Sequence, residues 1–348
     1  MHNHDSLLAE LVRAPGPPGD EGPVRAVLTR HLDAEGIAWR VDARGNLLAS
    51  PGQAIPERPR IVVTAHLDEI ALMVRRIDSD GTLRVVPLGG AHPWKWGEAP
   101  VDVLAGANPL PGVLSFGSIH TTHPSSVIQR ARDGKVPVWD DAKVFTGYSR
   151  EALPAAVRPG TRVVLAESRR AFTVLGPNDS FRAAPFLDDR IDCAAWLLAL
   201  HRLRAAGLGD DVLFAATTSE ELGGHGALWL LGGLRPEVCI ALEIAPIAPD
   251  NDLRLGSVPT CWAGDGFSPV APSDLALVAD AGAAAGTGVD FHVLTRGGSD
   301  ASCAAAAGHC ARPITLAVPV DNSHGLEIVH RDALEGLVRL LCAVLERL

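Results

Sequence analysis

Four short apolar runs punctuate the chain, at residues 61–65, 212–217, 238–244 and 314–318. Unbroken runs of this kind predict strands buried on both faces, as in a parallel sheet. Between and around them, apolar residues recur at helical spacing over 7–12, 24–32, 190–204 and 273–285, and again from Asp332 onward. In that last segment Leu334, Leu337, Val338, Leu341 and Leu345 form one stripe, the mark of a helix with a single buried face. Strand-like patches at 39–41 and 47–48 flank a turn at Arg44-Gly45-Asn46, and short helices are expected near 226–231 and after Gly297-Gly298-Ser299-Asp300-Ala301. The expected fold is α/β, a mixed and largely parallel sheet flanked by helices.

The texture changes between residues 72 and 173. Short alternating patches at 83–88, 112–116, 143–145 and 162–166 are separated by glycine and proline, and only 125–132 has a helical pattern. This predicts a small β-rich domain inserted into the α/β domain, which then consists of residues 1–71 and 174–348. Trp94 and Trp96 fall in the insertion and suit either a surface contact with another subunit or core packing.

A length of 348 residues fits two domains, and 47% apolar content is ample for a sizeable core. The net charge of −10 argues against nucleic acid and against an anionic membrane as partner. The six cysteines are scattered with no CxxC pair, so buried free thiols are expected rather than disulfides. With no signal-like segment and no run of about 18 apolar residues, a cytoplasmic protein is expected.

The chemistry lies where apolar runs end. Residues 61–65 lead into His66 and Asp68, 212–217 into Glu220 and Glu221, 238–244 contain Glu243 near their end, and 314–318 precede His324. In an open α/β sheet the carboxyl ends of strands gather along one edge, where ligands bind. Asp188 stands at the start of a helix beside them. Each residue also has a bland reading: a satisfied core histidine, a helix cap at Asp188, a solvated acidic pair. Their coincidence at strand ends favours a metal centre instead, and mixed imidazole and carboxylate donors suit zinc, cobalt or manganese.

The stretches TAHLDEIAL (64–72), FLDDRIDC (186–193), TTSEELGGHGA (217–227), CIALEIA (239–245), RGGSDA (296–301) and VDNSHGLEIVHRDAL (320–334) together resemble the M42 metallo-aminopeptidases. The resemblance spans nearly the whole chain, including VPLGGAHPWKWG (86–97) in the insertion. It implies a dinuclear-metal aminopeptidase that removes N-terminal residues from short peptides. By that resemblance Asp188 bridges two divalent ions, zinc or cobalt first and manganese next. His66 and Glu243 complete one site, Glu221 and His324 the other. Glu220 is the general base for a metal-bridged water, and Asp68 orients the His66 ring. The family most often has aspartate where Glu243 stands, and a basic residue where His225 stands. The insertion is expected to mediate assembly into a homo-oligomer, a dodecamer by resemblance. Two other readings use the same residues: a related metal-dependent amidase, deacylase or carboxypeptidase, and a non-catalytic metal-binding assembly protein. No GxSxG, GxxxxGK or GxGxxG motif supports a serine hydrolase, a P-loop or a dinucleotide site.

Overall fold

The computed structural model describes residues 3–348. The chain divides into two compact units, one formed by the chain through Asp68 together with Phe172–Leu348, the other by Glu69–Ala171. In the first unit α1 (Asn3–Arg13) and α2 (Gly22–Ala34) precede the hairpin β1 (Trp39–Val41) and β2 (Leu47–Ala49), then β3 (Ile61–His66). The second unit holds β4 (Ala71–Ile77), β5 (Leu83–Leu88), α3 (Pro93–Trp96), β6 (Ala99–Val103), β7 (Leu110–Ser115), α4 (Val127–Arg132), β8 (Lys143–Phe145) and β9 (Arg162–Leu165). The chain then returns to the first unit with β10 (Thr173–Leu175), β11 (Phe181–Pro185), α5 (Leu187–Ala206), β12 (Val212–Thr217), α6 (His225–Leu234) and β13 (Val238–Pro246). It ends with β14 (Thr260–Gly264), α7 (Pro272–Ala285), β15 (Asp290–Val293), α8 (Asp300–Ala306), β16 (Arg312–Val320), β17 (Leu326–His330) and α9 (Ala333–Leu345).

The main sheet of the first unit has the order β1-β2-β12-β3-β13-β16-β14-β15. Its centre, β12-β3-β13-β16, is parallel, while β2 and β14 join it antiparallel. This is the mixed, largely parallel sheet that the apolar runs predict. Every residue of β3 and β12 is buried, because helices cover both faces. Alternate side chains divide between those faces, as strand geometry requires. Val63 and Phe214 join the large core with α1, α2, α5 and α9, while Val62 and Leu213 pack with Ala227 and Leu231 of α6 and Ala301 and Ala304 of α8. Trp196 of α5 meets Phe214 edge-on at 5.7 Å. The six cysteines are free, and among the described residues no helix is long and apolar enough to cross a membrane.

Parallel register brings the strand ends together: Thr217 of β12 pairs with His66 of β3, and Glu243 of β13 with Ala317 of β16. A smaller antiparallel sheet, β10-β11-β17, lies in the same unit and pairs Ala184 with Glu327. Its strands are not legible as apolar runs. β10 is wholly exposed, and β17 carries Glu327 and His330 among its apolar residues.

The second unit is a closed barrel, β4-β5-β8-β7-β6-β9. Closure removes the unpaired edges that a set of short strands would otherwise expose. Val74, Leu83, Val101, Leu114, Val144 and Val163 are fully buried inside it. Two barrel strands go unannounced in the sequence. β4 breaks its apolar run with Arg75 and Arg76, and β6 opens on Ala-Pro and contains Asp102. The two tryptophans separate in role. Trp94 is 61% exposed, whereas Trp96 is buried and meets Trp139 edge-on.

Candidate metal centre

The candidate side chains come from the ends of core elements or the turns that follow them, except Glu243, which lies within β13. His66 is the last residue of β3, and its ring is buried. Its Nε2 lies 3.0 Å from Asp188 Oδ1, and its Nδ1 lies 3.1 Å from the Asp68 carbonyl oxygen and 3.5 Å from Asp68 Oδ1. Asp188 sits in the first turn of α5, yet its backbone is not helical (φ −73°, ψ 101°), and the Asp188–Asp189 peptide is cis. Neither acid caps the helix, so the ordinary reading of acids at a helix start does not apply here. The extended backbone instead aims the Asp188 carboxylate across the strand ends. Its Oδ2 lies 3.4 Å from His324 Nε2, which in turn is 3.8 Å from Glu221 Oε1.

Two groups of donor atoms result. One comprises His66, Asp188, Asp189 and Glu243, the other Asp188, Glu221 and His324, with the atoms of each group within 4.8 Å of one another. Asp188 belongs to both. All five sequence-nominated ligand residues therefore converge, in the pairing expected from the motifs, and Asp189 joins them as an addition. Asp189 Oδ2 accepts the backbone N–H of His66 at 2.6 Å, which ties the end of β3 to the start of α5.

Electrostatics sharpen this picture. Burial, reinforced by its acidic neighbours, pushes the Glu221 carboxyl up to about 7, and burial holds Glu220 and Glu243 well above the usual carboxylate range. Burial opposes charge on both imidazoles. Facing carboxylates overcome it, raising His66 well above its ordinary value and His324 to about 11. Carboxylates crowded in this way stay ionised only with positive charge among them. Two imidazoles and several carboxylates at these separations are a donor set that zinc, cobalt or manganese accepts. The residues present fit a pair of divalent cations.

Glu220 and Glu221 follow Ser219, which has a left-handed backbone (φ 53°). Asp68, fully buried, accepts the backbone N–H of Glu220 at 2.9 Å and of Glu221 at 3.1 Å, one on each carboxylate oxygen. Asp68 thus faces the His66 ring and also carries the two glutamates. Asn46 closes the same loop, accepting from Thr218 N at 3.0 Å and donating to the Gly226 carbonyl at 3.0 Å. Only glycine fits at 226, where a Cβ would stand 2.4 Å from the Thr218 carbonyl oxygen. His225 is exposed at the start of α6.

Sequence reasoning missed several supports of the site. Glu327 of β17, 1% exposed, accepts Asp188 N on Oε2 at 2.9 Å and His324 N on Oε1 at 2.7 Å. One carboxylate thereby fixes the backbone of a candidate donor residue in each group. In the sequence it is an acid three residues after His324, which does not reveal the N–H groups it accepts. Asp300 accepts from Thr217 Oγ1 at 2.6 Å and, by burial, is pushed up to about 6. The motif RGGSDA contains Asp300 without assigning it a role. Arg190 is fully buried and donates to the Leu67 carbonyl at 2.6 Å and the Leu11 carbonyl at 3.1 Å, bracing the segment that carries Asp68.

Over most of its length this chain is similar to known aminopeptidases. The model of the M42 glutamyl aminopeptidase family matches residues 45–340. The lysyl aminopeptidase of Pyrococcus furiosus is 31% identical over 274 residues, covering 76% of this chain and 74% of its own. The glutamyl aminopeptidase of Lactococcus lactis is 28% identical over 245 residues, 68% of this chain and 66% of its own, so this chain spans just under two thirds of that relative. Among solved structures, the TET1 peptidase of Pyrococcus horikoshii, described as able to assemble into a tetrahedron or a large octahedral shell, superposes with a TM-score of 0.85. That likeness holds at 27% identity over 98% of this chain and 99% of the other. Fold and matches together mark a hydrolase of peptide bonds. The chain belongs to the M42 peptidase family.

Proposed function

We propose that this protein is a metal-dependent aminopeptidase that removes N-terminal residues from short peptides. His66, Asp188 and Glu243 would hold one divalent cation, and Asp188, Glu221 and His324 a second. The observation that carries this reading is Asp188, whose two oxygens face His66 at 3.0 Å and His324 at 3.4 Å. Two divalent cations, when bound, supply Lewis-acid polarisation of the scissile carbonyl and acidify water.

The remaining work falls to the chain itself. Glu220 is the general base: its carboxylate takes a proton from the attacking water and returns it to the leaving amine, a role worth typically about 10²–10⁴-fold. Burial raises its proton affinity above that of an exposed glutamate, which strengthens the carboxylate as a proton acceptor. Asp68 holds the amides of Glu220 and Glu221, so the base and its neighbouring ligand move as one body. The surplus of carboxylates at the strand ends favours a substrate that presents a free α-amine.

The second unit, Glu69–Ala171, corresponds to the insertion expected over residues 72–173 and is proposed as an assembly domain. The likeness to a TET peptidase supports a homo-oligomer of that kind, a dodecamer as the motifs suggest. Light scattering in solution tests it, and a monomer would reject it.

Glu220→Gln tests the mechanism: the variant should keep its metal content and lose nearly all turnover of aminoacyl-anilides. Full activity would remove Glu220 from the role of base. Running the wild-type protein on aminoacyl-anilides beside N-acyl amino acids separates an aminopeptidase from an amidase or deacylase on the same residues.

A further inference from the structure

Four consecutive amides lead into the glutamate pair, and a side-chain oxygen meets each one. Thr218 N donates to Asn46 Oδ1, Ser219 N to Glu21 Oε1 at 3.2 Å, Glu220 N to Asp68 Oδ1 and Glu221 N to Asp68 Oδ2. Asp68 and Asn46 stand beside the main sheet's strands. Glu21 arrives from 198 residues earlier in the chain, at the end of the glycine- and proline-rich turn before α2. It is 5% exposed, and its Oε1 also accepts the Ser219 hydroxyl at 3.3 Å. That oxygen is itself anchored by Gly19 N at 2.7 Å.

Ser219 needs such an anchor. Its φ of 53° is left-handed, a conformation that a residue with a Cβ adopts at a cost and keeps only when its surroundings over-determine it. A residue that relaxed to the ordinary right-handed or extended region would swing the next residue's Cα–Cβ bond to a new direction. The next residue is Glu220.

We infer that Glu21 is a positioning residue for the reaction: by holding both the amide and the hydroxyl of Ser219, it keeps the left-handed turn that aims the Glu220 carboxylate. The inference rests on the reading of Glu220 as general base. Glu21 reaches no reacting atom itself and acts through Ser219.

Two opposite substitutions test it in the full-length, metal-loaded enzyme. Glu21→Gln keeps a carbonyl oxygen at the same reach but removes the charge. Glu21→Asp keeps the charge but withdraws the oxygen by one bond, about 1.5 Å. Positioning predicts that Glu21→Asp lowers kcat by about 10–100-fold, with KM and metal content unchanged, and that Glu21→Gln stays near wild type. A role for the buried charge predicts the reverse order, and that result would overturn the inference. So would equal losses in both variants that track metal content or folded fraction. If Glu21→Asp does not fold, Ser219→Ala removes the hydroxyl contact alone and should lower kcat by about fivefold; an unchanged kcat there would reject the role. Glu220→Gln, run in parallel, keeps the two claims apart. Activity in that variant removes the base itself, whereas an inactive Glu220→Gln beside a reversed Glu21 order removes only the positioning role.

Discussion

Glu220 is tied to Asp68 across 152 residues of chain, its backbone N–H donating to Asp68 Oδ1 at 2.9 Å, although both side chains are acidic. The contact is amide to carboxylate, so it draws the backbone of one acid towards the side chain of another without neutralising either. The second oxygen of Asp68 does the same for Glu221. A carboxylate at this position therefore sets where Glu220 and Glu221 stand, in addition to facing the His66 ring.

Asp68→Asn should consequently cost more than the orientation of one imidazole. The amide keeps one acceptor oxygen and replaces the other with an N–H₂ group that repels an amide donor. A loss of about 10–100-fold in kcat/KM or metal affinity is expected. Steady-state kinetics with metal analysis checks it, and wild-type values for both would refute it.

Glu327→Gln acts on the other side of the site. Its two oxygens serve Asp188 N and His324 N, and an amide side chain can serve only one of them. Metal retention should weaken by about 10–100-fold, measured by dialysis against graded chelator and counting of bound ions. Retention equal to wild type would show that the ligand backbone is held by other means.

Gly226→Ala places a methyl 2.4 Å from the Thr218 carbonyl oxygen and 2.5 Å from Asn46 Oδ1. The loop must shift, at a cost of about 1–3 kcal/mol. Chemical denaturation should show that loss, and turnover should fall with it because Thr218 begins the segment that carries Glu220. An alanine variant with native stability would contradict the packing described.

In the barrel unit, the Arg170 guanidinium makes a bidentate pair with Glu69, both fully buried. Arg170→Met leaves the carboxylate buried without that partner, a change expected to cost about 3–5 kcal/mol. Thermal unfolding followed by tryptophan fluorescence would detect it, since Trp96 and Trp139 both lie in this unit.

Chelation of the metal-loaded enzyme should abolish turnover and lower the melting temperature together, since ligands bound only to the native state stabilise it, by about 2.7 kcal/mol at a hundredfold excess over Kd. Turnover should return on adding zinc, cobalt or manganese. Activity that survives exhaustive chelation would remove the cations from the proposal.

The amino-acid sequence by itself determined the strands of the parallel centre and the residues at their ends. A strand buried on both faces must be an apolar run, so any polar residue at its end stands out, as His66 and Glu243 do. It also nominated the candidate donors, because six ordered stretches carry them. Only the tertiary structure decided what holds those donors in place. Glu21, Asp68 and Glu327 act by accepting backbone N–H groups from residues far away in the chain. Any residue except proline offers that N–H, so its partner leaves no mark on the sequence around it. Barrel strands β4 and β6 and the β10-β11-β17 sheet were hidden as well, because their short or partly exposed strands owe their pairing to neighbours rather than to their own pattern.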